Sequence, residues 1–272
     1  MTQLSSIFGV EKPLIAMCHL QGLPGRPRYD AAGGVARIAE LAARELCALQ
    51  DGGVDAVMFC NENDLPYSTV VSVEVAATMA AVIGRLHSEI RVPFGVNLLW
   101  DAKASLAVAC ATGASFVREV FTGVFESDMG LLAPDFGELA AYRHALGADA
   151  VAILANITPE FSRSVSGRPV ADRAAGAAYM GVDGLLISGA AAGLGASLSE
   201  IEEAKAAAPH TPVLANTGVN HDTVEEVFRV ADGAVVGTSL KVDGDTWKPV
   251  EPGRVTAMMD KVRAARGAPV QA

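Results

Sequence analysis

Short apolar runs rich in β-branched residues alternate with longer alanine-rich segments of helical periodicity, from one end of the chain to the other. The runs Leu14–Cys18, Ala56–Phe59, Phe94–Leu98, Phe116–Val120, Ala150–Ala155, Gly184–Ile187, Val213–Ala215 and Ala234–Val236 read as strands. The intervening pattern predicts helices near 35–51, 72–88, 101–112, 136–146, 170–180, 198–208, 222–230 and 252–265. A helix after every strand implies parallel pairing, because a parallel neighbour is reached only through a long crossover. The strands are apolar almost throughout, as expected of a sheet covered on both faces. Eight such units predict a (β/α)8 TIM barrel; an open doubly wound sheet is the alternative, and eight well-spaced units disfavour it.

Local punctuation agrees. Asp135 with Glu138, Ser197 with Glu200 and Asp222 with Glu225 have the spacing of capping boxes. Acidic turns at Asp55, Asp183 and Asp232 precede three strands, and Pro93 and Pro212 precede two more. With no linker or low-complexity tract in view, residues 1–272 read as one barrel domain.

Composition narrows the class. The 272 residues are 51% hydrophobic and 19% charged, close to the roughly 250 residues of a single barrel. Mean hydropathy is +0.31, yet no uncharged apolar run reaches the ~20 residues of a membrane span. The net charge of −10 and the lack of a basic cluster argue against a nucleic-acid partner. An anionic ligand must then be held by local geometry against the overall field. The N-terminal residues show no secretion signal, and Cys18, Cys47, Cys60 and Cys110 form no CxxC pair. Both features point to free thiols in a reducing cytoplasm. The alanine-rich outer helices suggest a homo-oligomer.

In such a barrel the chemistry sits at the carboxyl ends of the strands. The last three strands run into Ser188-Gly189-Ala190-Ala191-Ala192-Gly193, Asn216-Thr217-Gly218 and Gly237-Thr238-Ser239-Leu240-Lys241. Small residues there let main-chain amides approach an anion, and a short helix opening at Thr238-Ser239 would add its positive end. Barrel phosphate sites recur after strands seven and eight, so a small phosphorylated ligand is the expected partner. Lys241 suits a phosphate counter-ion. The alternative is that these glycines only turn the chain.

Glu62 and Glu160 follow strands two and five and are candidates for proton transfer; each could equally be a solvated loop carboxylate. His19 could serve as acid, base or metal ligand, and Asn97 stands at the end of strand three. Arg118, inside strand four, must either pair with an acid or face a ligand. No ligand spacing assigns a metal site, so a divalent metal stays open and no other cofactor is implied. The loop Phe121–Pro134 is either a lid or a rigid rim. P-loop, HExxH and GxSxG motifs are absent, and no lysine ends strands one to seven, which weakens a Schiff-base aldolase.

The strings Ile15-Ala16-Met17-Cys18-His19-Leu20, Leu23-Pro24-Gly25, Gly52-Gly53-Val54-Asp55, Gly95-Val96-Asn97, Arg118-Glu119-Val120-Phe121-Thr122-Gly123 and Val213-Leu214-Ala215-Asn216-Thr217-Gly218 resemble the BtpA/SgcQ family nearly end to end. That resemblance implies a TIM barrel with a phosphate-binding C-terminal half. One branch of the family is linked to photosystem I biogenesis, the other to bacterial carbohydrate genes. After strand two this chain has Cys60-Asn61-Glu62-Asn63-Asp64 where photosystem-type members carry Glu-Asn-Phe-Gly-Asp. After strand five it has Asn156-Ile157-Thr158-Pro159-Glu160 where they carry Val-Lys-His. Both strings look like the carbohydrate branch. The expectation is an isomerase, epimerase or aldolase-like lyase abstracting a proton beside the carbonyl of a phosphorylated sugar or sugar acid. The alternatives are a non-catalytic assembly factor and a metal-dependent phosphate-ester or nucleotide hydrolase.

Overall fold

A computed structural model describes residues 3–191 and 194–267. Eight parallel strands close a barrel in the order β1 (Leu14–His19), β2 (Ala56–Cys60), β3 (Phe94–Asn97), β4 (Phe116–Glu119), β7 (Ala152–Asn156), β9 (Gly184–Ser188), β10 (Val213–Asn216) and β11 (Ala234–Val236), with β11 pairing back onto β1. Crossover helices cover it: α2 (Gly34–Asp51), α3 (Val73–Leu86), α4 (Ala102–Thr112), α5 (Phe136–Ala145), α6 (Val170–Met180), α7 (Leu198–Ala207) and α8 (Val224–Val230). The last helix, α9 (Pro252–Gly267), packs beside α8 and α2. Each strand and helix expected from the pattern is present, with ends shifted by a few residues at most.

Side chains alternate along each strand, so parity sorts them into two layers. Leu14, Ala16 and Cys18 face the helices, while Ile15 and Met17 fill the barrel. The same rule sends Met58, Phe116, Leu154, Leu186, Leu214 and Val235 inward. A Cβ at Gly95 would lie 2.2 Å from the Phe116 ring, so only glycine leaves room for this aromatic in the interior.

Hydrophobic periodicity gave no hint of α1 (Gln3–Phe8). Its Leu4 and Phe8 join the interior cluster, and Phe8 meets Phe116 edge-on with ring centroids 5.1 Å apart. A single apolar turn is too short to show a period, which explains the omission. The acidic turns fix the ends of neighbouring strands. Asp55 Oδ2 accepts from Leu14 N at 2.7 Å, Asp183 Oδ2 from Ile153 N at 2.8 Å, and Asp232 Oδ2 from Val213 N at 3.0 Å. Each of these acids also has a cation, Arg266, Arg143 and Lys205 respectively.

Asp135 and Ser197 cap α5 and α7 as expected, accepting from Glu138 N and Glu200 N. Asp222 does not cap α8. Asn220 Oδ1 accepts from the amides of Asp222 and Thr223 instead, and the helix starts later, at Val224. The long loop after β4 is a rim rather than a loose lid. It folds as the hairpin β5 (Phe125–Ser127) and β6 (Gly130–Leu132), and β8 (Ser162–Ser164), from the loop after β7, pairs with it.

Lys241 corrects a second expectation. Its ammonium group is buried behind the barrel wall and donates to both oxygens of Glu45 on α2, at 2.7 and 2.8 Å. It is therefore spent on a buried ion pair rather than offered to a ligand. Glu45 stands on the core-facing stripe of α2 with Ile38, Ala42, Leu46 and Leu49, and an acid on such a stripe needs an internal cation.

Two stability outcomes follow. Phe8→Ala should lower unfolding stability by about 3 kcal/mol in urea titration, because it empties the floor of the barrel. Lys241→Met should cost about 3–5 kcal/mol by stranding the Glu45 charge, and adding Glu45→Leu should restore most of the loss.

Candidate functional site

Inward parity at the carboxyl ends of the strands brings together His19, Asn97, Arg118, Asn156, Ser188 and Asn216, all buried. Arg118 organises them. Its Nη1 donates to Asn97 Oδ1 at 2.9 Å and its Nη2 to Glu160 Oε1 at 2.8 Å. Glu160 accepts further from Asn216 at 3.1 Å and from Asn156 at 3.0 Å. Ser188 Oγ closes the network, donating to Asn156 Oδ1 and accepting from Asn216 Nδ2. Burial works against the Arg118 charge, but Glu160 and Glu119 outweigh it and hold the guanidinium pKa above its usual value. Arg118 thus pairs with an acid and also borders the cavity above it.

Glu119 has the opposite parity and lies outside the cavity wall. Its carboxyl accepts from Trp100 N, Val120 N and Asn97 Nδ2 at 2.7–2.8 Å. Burial still pushes its pKa up to about 7.

The cavity over this layer has a volume of about 300 Å³, at the small end of ligand pockets. On one side stand His19 and Glu62, with His19 Nε2 4.0 Å from Glu62 Oε2. Tyr67 donates its hydroxyl to Glu62 Oε1 at 3.2 Å. Burial raises the Glu62 pKa above the ordinary 4.5. Burial, followed by the Lys241 and Arg118 charges, pushes His19 well below 6.5, so the imidazole is neutral near pH 7.

The other side is formed by Asn216, Thr217, Gly218, Gly237, Thr238, Ser239 and Arg254. A 3-10 turn opens at Thr238, where the sequence predicted a short helix. Ser239 Oγ is buried without a hydrogen-bond partner. Arg254, from the first turn of α9, donates Nε to Ser239 O at 2.8 Å and is the arginine on this side of the cavity, where Lys241 is not.

Several expected contacts fall elsewhere. Asn97 lies beneath the cavity, holding Arg118. Ser188 and Gly189 are also absent from its wall, and the Gly189 amide is taken by Thr217 Oγ1 at 3.0 Å. Gly189 and Gly218 are small for packing: a Cβ on either would lie 2.1–2.2 Å from the Leu194-Gly195 backbone. Gly193 lies outside the described residues. Among the described residues no three His, Cys, Asp or Glu side chains cluster to hold a metal ion. Sequence reasoning missed Tyr67, Trp100, Phe161 and Arg254. Parity offers no handle on the first three, which stand in loops, and Arg254 belongs to a helix distant in sequence from any strand end.

Among the described residues no helix is long and apolar enough to cross a membrane. Comparison with solved structures yields barrels of the same architecture. Tryptophan synthase of Mycobacterium tuberculosis matches with a TM-score of 0.62 and 15% identity, over 97% of this chain and 98% of that one. GGGPS of Thermoplasma volcanium matches at 0.61 and 12%, over the same shares of the two chains. These likenesses establish the fold alone. Nearer relatives come from sequence. The sgc-region protein SgcQ of Escherichia coli K12 is 45% identical over 267 residues, 98% of this chain and all of that protein. The photosystem I biogenesis protein BtpA of Synechocystis is 33% identical, over 94% of this chain and 90% of its own. The BtpA family model matches residues 10–264, and the chain belongs to the BtpA family.

Proposed function

We propose that this protein is an enzyme that binds a phosphorylated sugar or sugar acid and moves a proton beside its carbonyl group. One observation carries the reading. His19 Nδ1, Trp100 Nε1, Arg118 Nε and Ser239 Oγ are buried without hydrogen-bond partners, and all four residues border the same cavity. Buried polar atoms are normally satisfied, so the convergence of four of the six such atoms among the described residues on one cavity supports a polar ligand there. The ligand's anionic group lies at the Thr217, Ser239 and Arg254 end, under the Thr238 turn. Its carbonyl end lies towards His19, at the end of β1 next to β11, and Glu62, after β2 one strand further round.

At that end Glu62 is the base. Glu160 is committed to Arg118, Asn156 and Asn216, whereas Glu62 faces the cavity with a raised pKa. Glu62 takes the proton from carbon, and the neutral His19 donates its N–H to the carbonyl oxygen as negative charge develops there. An imidazole kept neutral by burial can polarise the carbonyl through its N–H without placing a second positive charge beside Arg118. Return of the proton from Glu62 to the neighbouring carbon, with the hydroxyl proton passed between the two oxygens through His19, gives isomerisation. The resemblance to the carbohydrate branch of the family agrees with such a substrate.

Glu62→Gln should lower kcat by about 10²–10⁴-fold with little change in KM, measured on whichever sugar phosphate of a panel exchanges a carbon-bound proton with deuterated solvent. Full turnover by this variant would remove the base. Because Glu62 must be ionised to act and its pKa is raised, kcat/KM should climb with pH along a limb centred above 4.5. Arg254→Met should weaken inorganic phosphate about tenfold or more in thermal-shift titration, whereas Lys248→Met, on the exposed rim, should not.

A further inference from the structure

We infer that Trp100 is the specificity-determining residue of this pocket, reading the carbon skeleton of the ligand while the Ser239 and Arg254 end holds its anionic group. The inference rests on the phosphosugar reading above and adds a subsite to it. Three independent observations meet at this residue.

Trp100 is only 8% exposed, yet its indole Nε1 has no hydrogen-bond partner. A buried tryptophan ordinarily finds a partner for that N–H, and the side chain borders the cavity. Its backbone, at φ 70°, lies in the left-handed region that bulky side chains avoid. Five non-glycine residues among those described have positive φ, and Trp100, Phe161 and Thr217 all border this one pocket. Such conformations persist where the surroundings over-determine them. Here Trp100 N is held by Glu119 Oε1 at 2.7 Å, Leu99 N by Asn61 Oδ1 at 2.8 Å, and Asp101 caps α4. The loop is thus fastened on both sides of a strained residue whose one polar atom is unpaired.

The cavity lining also carries apolar surface from Met17, Leu99, Phe161 and Val235. A sugar carries apolar C–H faces and oxygen-bearing edges. A flat aromatic face with a single donor at its rim matches that chemistry, whereas free phosphate, held at the Ser239 and Arg254 end, has no C–H face to lay against the ring. Trp100 therefore separates ligands that share a phosphate but differ in the carbon chain.

The protein has two tryptophans, and Trp247 is half exposed beneath the Arg28 guanidinium. Trp247→Phe leaves Trp100 as the sole indole emitter. This variant is titrated with inorganic phosphate, glycerol 3-phosphate, ribose 5-phosphate and fructose 6-phosphate, following emission and thermal unfolding together. Any sugar phosphate that stabilises the protein should also shift or quench Trp100 emission, while inorganic phosphate stabilises it with emission unchanged. In the natural protein, Trp100→Phe should weaken that sugar phosphate about tenfold, the size of one hydrogen bond, and leave phosphate affinity as it was. Stabilisation by a sugar phosphate without any change in emission overturns the Trp100 subsite and spares the functional reading. Equal weakening of phosphate and sugar phosphate by Trp100→Phe does the same. If no sugar phosphate stabilises the Trp247→Phe protein, the phosphosugar reading fails and takes this inference with it. Should Trp100→Phe not fold, the emission titration decides alone.

Discussion

A guanidinium held inside a closed barrel must be answered by the residues around it, and most of the polar interior follows from that demand. Strand parity turns Arg118 inward, where hydration cannot compensate its charge. Glu160 reaches it from the loop after β7, and the carboxylate's remaining capacity is filled by Asn156 and Asn216. Asn216 in turn fixes Ser188, and Asn97 fixes the other arm of the guanidinium. The network links β3, β4, β7, β9 and β10 across the mouth of the barrel. A buried ion pair adds little net stability compared with apolar packing, so its contribution here is orientation. It gives the cavity a floor whose polar groups are already in place before a ligand arrives.

The same layer is unbalanced in charge, and the imbalance sorts the acids into roles. One guanidinium stands near Glu62, Glu119 and Glu160, and it cannot neutralise all three. Glu160 has the direct contact. Glu119 is held by two backbone amides and Asn97, on the side away from the ligand. Glu62 has Tyr67 and the cavity, and burial raises its pKa. The Lys241 charge, neutralised by Glu45 behind the wall, still helps to keep His19 neutral. A carboxylate with a raised pKa beside an uncharged imidazole is a combination suited to the proton transfer proposed above. Their positions in the sequence, 43 residues apart on neighbouring strands, become adjacent only through the β1–β2 pairing of His19 with Cys60.

Much of this was legible beforehand, for physical reasons that differ by element. Buried parallel strands and their amphipathic helices leave a periodic signal, and the boundaries from Leu14 to Val236 were readable to within a few residues. Residues at strand ends, such as His19, Arg118 and Asn216, could be placed at the mouth because the fold dictates which end carries the site. Lys241 shows where that rule stops. Nearness to a strand end does not fix the direction of a long side chain, and the next turn carries Lys241 outward to Glu45. The acid on the buried stripe of α2 was the available clue. Arg254 left none, since its place at the cavity depends on how α9 docks. The cradle glycines were half understood: Gly189 and Gly218 are required by backbone packing against Leu194-Gly195, so their smallness was a poor measure of anion binding.

What distinguishes the mouth from the rest of the barrel is that local rules are broken there together. Elsewhere such departures are scattered: Arg143 Nε and Arg173 Nε are also unpaired, and Lys12 and Asp243 also have positive φ, but they share no single cavity with one another. At the mouth Trp100, Phe161 and Thr217 hold unfavourable backbone angles, and His19, Trp100, Arg118 and Ser239 leave buried polar atoms unpaired. Each departure works against folding, and the four atoms His19 Nδ1, Trp100 Nε1, Arg118 Nε and Ser239 Oγ have no partner in the protein. A chain shaped by stability alone would place glycine at such angles and apolar groups at such atoms. Sites where several local rules fail together are where function is expected, and the convergence of these departures on one small cavity is what supports the ligand proposed for it.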